Sequence, residues 1–165
     1  MNNLISKLLH THGSVALLPL RFGTGIILAA HGSQKLFGWF GGYGLAGTAG
    51  FFESQLGMAP GILWAFLASA GEFFGGLMLI AGALTRIGAA LNVVTMAVAI
   101  ILVHPNAFFS ANNGMEFPLI LLAANATLLI AGAGGWSVDR VLARRLGRVP
   151  EKVSVNPALN TQTAS

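Results

Sequence analysis

Seven side chains in this sequence carry chemistry that an apolar chain has little reason to keep: Arg21, His31, Gln34, Lys35, Glu72, His104 and Glu116. Arg21, Thr24, Leu28, His31 and Lys35 recur at steps of three and four, so on a helix they share one face. Glu72 stands inside a second apolar run, and His104 and Glu116 flank a polar loop. Such a set suits a quinone or another small carbonyl compound. Arg, Lys and His donate to its oxygens, and a carboxylate or imidazole handles the proton. On that reading His31 and Glu72 are the candidate catalytic groups. Arg21, Gln34, Lys35, His104 and Glu116 are the candidate binding groups. A competing reading makes His31 and His104 the axial ligands of a b-type haem. No HxxxH or Cys/His spacing supports it, and no residue is assigned to a metal. Cysteine is absent, which removes disulfides, thiolate metal sites and cysteine nucleophiles.

These groups must be positioned by elements that are themselves very apolar. The 165 residues are 55% hydrophobic and 8% charged, with a mean hydropathy of +0.73. A soluble domain carries roughly 25% charged residues, so the expectation is an all-α integral membrane protein. Its sequence pI of 10.4 does not imply nucleic acid. The cations form no aromatic-interleaved patch, and five of the nine lie between Arg140 and Lys152.

Read in order, residues 1–14 form a short polar lead-in. Four apolar spans follow at about 15–36, 62–84, 87–103 and 117–133, near the roughly 20 residues a bilayer requires. The stretch between the first two is rich in Gly and aromatics, and reads as an interfacial loop with a short helix over residues 45–56. Its GxGxxG match follows a helix rather than a strand, so it is no dinucleotide site. The Thr85–Arg86 turn makes spans two and three a hairpin. Asn92 and Asn125 are expected to form interhelical hydrogen bonds. Trp39, Trp64 and Trp136 are expected to anchor at the interface. Ser137 is placed as a helix N-cap opening a basic amphipathic helix over 137–149, with a disordered tail over 150–165.

An even number of spans leaves both termini on one side. Lys7, Arg86 and the basic helix lie there, so the positive-inside rule makes that side cytoplasmic. The expected location is a bacterial-type inner membrane, crossed several times. Within it, Arg21 and His31 fall roughly 7 Å to either side of the middle of span one. Glu72 is near the middle of span two. A long arginine reaches that level, so an Arg21–Glu72 pair is the expected counter-charge, whether it serves a site or only fixes helix register.

The sequence resembles the DoxX family of small four-helix membrane proteins. The residues that carry the resemblance are Arg21-x-x-x-Gly25, HGxQKLFGWFGG from His31 to Gly42, and GTAGFFESQLGM after it. Further on come GEFFGGLMLIAGALTRIGA from Gly71, then GMEFPLILLA and GAGGWSVDRVL. The match runs in order over roughly residues 15–143 and omits the tail. It implies a four-helix membrane bundle and a membrane subunit of a quinone-linked oxidoreductase. Quinone is the implied acceptor, and a soluble oxidoreductase is the implied partner beside the lipid bilayer. A homo-oligomer is a further candidate assembly. A non-catalytic membrane anchor or assembly factor for such a partner is the alternative. A small transporter ranks last, since no pair of discontinuous helices is evident.

Overall fold

A computed structural model of the protein describes residues 14–146. Most of the lead-in and the tail over 150–165 lie outside the described residues. Within them the chain forms six α-helices and no strand: α1 (Leu17–Phe37), α2 (Gly44–Ser54), α3 (Gly61–Ala81), α4 (Thr85–Val98), α5 (Glu116–Ala131) and α6 (Val138–Arg145). A π-helical turn, Ala99–Val103, extends α4, and single 3-10 turns occupy Trp39–Gly41 and Ser110–Asn112. α3, and α4 together with its π turn, are long and apolar enough to cross a membrane. α5 is apolar but shorter. α1 is as long as α3 but carries Arg21 and Lys35.

The exterior is broadly apolar, and polar side chains are buried among apolar ones within. Ile62, Phe66, Leu67, Phe74, Val94, Ile101, Ile120 and Ile130 are exposed, while Arg21, Ser69, Glu72, Thr85, Asn92, Asn125 and Asp139 are buried. An apolar face this extensive marks a surface made for lipid or protein rather than water.

The long helices pack α1 on α3, α3 on α4 and α4 on α5, with α2 laid against α3. Small residues set the closest approach, as in membrane helix pairs. A Cβ on Gly76 would stand 2.5 Å from the Ala29 amide nitrogen, and a Cβ on Gly25 2.8 Å from the Gly76 carbonyl. These contacts lock the register of α1 against α3. In that register Arg21 comes to Gly82, ten residues beyond Glu72, or about 15 Å along a helix. The expected Arg21–Glu72 pair is therefore not formed. Aligning the two spans by their midpoints ignored the glycine contacts that set their offset.

Arg21 instead closes one end of the structure. Its guanidinium donates to the carbonyls of Ala133 and Trp136, both at 2.6 Å, and so ties the segment after α5 to α1. Arg86 donates to the carbonyls of Leu129 and Ile130 in the last turn of α5. The hairpin turn falls at Gly82–Leu84, earlier than the Thr85–Arg86 turn expected, because Gly82 (φ 63°) ends α3 in the left-handed conformation. Leu84 is also left-handed, φ 51°, which costs an L-residue about 1–2 kcal/mol. Asp139, 2% exposed, offsets that cost. Its carboxylate accepts the amides of Leu84 (2.7 Å) and Thr85 (2.9 Å), which are orphan donors at the start of α4. The Asp139 amide in turn donates to the Gly82 carbonyl.

Ser137 caps α6, accepting from the Arg140 amide at 3.3 Å. The helix docks through Asp139 and Ala143. Its apolar stripe of Val138, Val141, Leu142 and Leu146 faces outward.

Replacing Asp139 with Ala leaves two buried amides and a left-handed Leu84 unsupported. The expected loss is about 2 kcal/mol, the upper end for a cap, with Asp139→Asn recovering part. Thermal unfolding in detergent reads the order wild type, Asp139→Asn, Asp139→Ala.

Candidate functional site

At the end of the helices away from Arg21, four of the polar side chains converge. Glu72 projects from α3 and is 2% exposed. Lys35, near the end of α1, reaches it with Nζ 2.6 Å from Oε1 and 2.7 Å from Oε2. The Lys35 side chain keeps 36% of its surface exposed, so the pair is buried at the carboxylate and open at the amine. It supplies the counter-charge that the sequence pattern had assigned to Arg21. Sequence spacing did hold the clue, since Lys35 lies on the same helical face as Arg21.

The pair lines a cavity of about 120 Å³ together with His31, His104, Phe117 and Pro118 above a floor of Leu28, Met96 and Leu121. His31 sits on the rim, its ring tilted against Phe117 at a centroid distance of 5.7 Å. His104 arrives by way of the π turn. Its amide donates to the Ala99 carbonyl, a five-residue step. A π turn inside a helix often accompanies a functional site. Here it brings Ala99 and His104 to one wall. His104 Nδ1–H donates to the Asn113 carbonyl at 2.8 Å. A carbonyl only accepts, so in the neutral ring Nε2 carries the lone pair.

The remaining candidates stand elsewhere. Arg21 is at the opposite end, on backbone carbonyls. Glu116 accepts the Ser110 amide at 2.7 Å and holds the loop that carries Asn113, but it does not line the cavity. Gln34 is half-buried and also outside the lining. Its backbone packs directly against Gly42, where any Cβ would collide. The features that sequence reasoning missed are the Lys35–Glu72 pairing, the π turn, and the capping role of Asp139. Backbone partners leave no trace in a pattern of charges.

Lys35 also borders a second, larger cleft of about 530 Å³, formed with Tyr43, Thr48, Phe51, Ser54 and Gln55 of the α2 region. It thus stands between an open cleft and the inner cavity. Among the described residues no cluster of three or more His, Cys, Asp or Glu side chains could hold a metal ion.

A carboxylate buried beside a lysine, inside an apolar-surfaced, all-helical fold, marks a membrane protein. The DoxX family model matches residues 16–105, and the chain belongs to that family. It is 34% identical to a Bacillus subtilis protein named "Putative oxidoreductase CatD" over 125 residues, 76% of this chain and 85% of the relative. It is 27% identical to an uncharacterized membrane protein of Mycobacterium tuberculosis, Rv3486, over 84% of this chain and 88% of the relative. No solved structure matches the chain at a significant level.

Removing one member of the pair strands the other. Lys35→Met leaves a carboxylate buried without a cation, at a cost of about 3 kcal/mol, the lower end for a buried pair because the lysine is partly solvated. The double variant Lys35→Met/Glu72→Gln is expected to recover most of that loss. Unfolding of both variants in the same detergent checks the order.

Proposed function

We propose that the chain is the membrane subunit of a quinone-linked oxidoreductase, with α1, α3, α4 and α5 crossing the bilayer as a four-helix bundle. The observation that supports this most is the meeting of the Lys35–Glu72 pair with His31 and His104 on one cavity. A quinone oxygen needs a donor, and Lys35 Nζ is a cation on a side chain that keeps 36% of its surface exposed. Full reduction of a quinone to a quinol takes two electrons and two protons. The electrons come from a soluble redox partner, and the protons pass through the carboxyl of Glu72 and the imidazole of His31. By pairing with Glu72 and reaching the ligand oxygen, Lys35 links the two.

Size supports an edge-on ligand. Sites that enclose a cofactor-sized molecule measure about 300–1,000 Å³, and the cavity holds about 120 Å³. It takes the carbonyl edge of one ring, with the rest of the molecule in the 530 Å³ cleft on the other side of Lys35. The name of the Bacillus relative, an oxidoreductase, agrees with redox chemistry.

Orientation follows from charge. Arg86, Arg140, Arg144 and Arg145 lie at the Arg21 end, whereas Lys35 is the cation at the cavity end of the described residues. The positive-inside rule then puts both termini in the cytoplasm of a bacterial-type inner membrane and turns the cavity outward.

The test is Glu72→Gln in the complex isolated from membranes, assayed for quinone-dependent turnover with folding checked by thermal unfolding. Turnover is expected to fall at least tenfold, about 1.4 kcal/mol of barrier, while the fold is retained. Unchanged turnover in a folded variant overturns the catalytic reading. Partner copurification that survives in such a variant and is lost on changing the outward loops supports the anchor reading instead.

A further inference from the structure

Two asparagines lie in the middle of the packed helices, away from the cavity. Asn92 on α4 and Asn125 on α5 are both fully buried. Asn125 Nδ2 donates to the Leu121 carbonyl of its own helix at 2.7 Å. Its Oδ1, and both amide atoms of Asn92, have no hydrogen-bond partner among the described residues. Neither asparagine makes the interhelical hydrogen bond expected of it.

The two amides nevertheless stand at one level. Toward the cavity, Met96 and Leu121 share its floor, and Asn92 and Asn125 each lie four residues, about one turn, beneath them. Toward the other end, Arg86 of α4 bonds the carbonyls of Leu129 and Ile130 of α5. Asn92 and Asn125 sit between these two tie points in an antiparallel pair. On its other side Asn92 covers Gly75 of α3. A Cβ there would stand 2.9 Å from Asn92 Nδ2 and 3.1 Å from Oδ1. Gly75 is three residues past Glu72, about 4.5 Å of rise along α3.

A buried amide group without a hydrogen-bond partner is destabilising, and three such atoms lie at one level. A buried water with two or more polar partners is the common remedy. We propose that Asn92 and Asn125 hold an internal water that bridges α4 and α5. The water accepts from Asn92 Nδ2 and donates to Asn125 Oδ1. It is shut off from the cavity by the buried layer of Leu28, Met96 and Leu121, so it exchanges slowly with solvent. The site does not depend on the redox reading, and its test uses no turnover.

The test combines a double-mutant cycle with a count of long-lived waters. Asn92→Leu and Asn125→Leu, near-isosteric and apolar, each leave the other amide and the water incompletely bonded. Each is expected to lower the unfolding temperature by several degrees, and the double variant to fall no further than the worse single. Deuteron magnetic relaxation dispersion of the detergent-solubilised protein is expected to show at least one long-lived water that the double variant lacks. Additive losses in the cycle overturn the bridge. Coupling without loss of a long-lived water also overturns it, in favour of a direct amide contact. If a leucine variant does not fold, the same cycle in Asn92→Ala and Asn125→Ala carries the test.

Discussion

A carboxylate at 2% exposure inside a protein clad in Ile, Leu and Phe has to find a cation, and only the register of α1 against α3 decides which one. Glycines at 25, 32 and 76 let the two helices approach until backbone meets backbone. With the offset fixed in that way, Lys35 is delivered to Glu72 and Arg21 is carried to the other end. The arrangement of charge in the molecule is thus a consequence of missing side chains. A methyl group at one of those glycines would disturb the ion pair without touching either of its members.

The two ends of the structure are built for different purposes from the same kinds of residue. At the Arg21 end, charged side chains are spent on the backbone. Arg21 holds the carbonyls of Ala133 and Trp136, Arg86 those of Leu129 and Ile130, and Asp139 the first amides of α4. Arg86 and Asp139 complete helix ends that would otherwise carry orphan acceptors or donors, and Arg21 satisfies two carbonyls of the connector between α5 and α6. At the cavity end, Lys35 and Glu72 face each other, and His31 lies against Phe117. Of the polar side chains that line the cavity, only His104 is bonded to the main chain, through the Asn113 carbonyl, and Lys35 and Glu72 are held by each other.

The family, the all-helical class and the membrane setting were legible in the sequence because each rests on composition or on long ordered motifs. The meeting of His31 and Lys35 was legible too, through their shared helix face. The partner of Glu72 was not, because charge pairing across helices depends on an offset that small residues set in three dimensions. Arg21 and Glu116 stand apart from the cavity for a common reason. Both satisfy backbone groups, and a backbone amide or carbonyl looks the same at every position of a sequence. Asn92 and Asn125 were placed correctly at the helix interface, yet their amides do not bond to each other.

The π turn at Ala99–Val103 closes α4 with a wider step than the rest of the helix. An α-helix advances about 100° per residue, so a step of five leaves two side chains roughly 140° apart. Ala99 and His104 are separated by that step, yet both line the cavity, because the wider turn uses up the extra residue. α4 therefore ends with an imidazole on the cavity that Met96 and Ala99 also border, and the chain enters the loop to Asn113 from there.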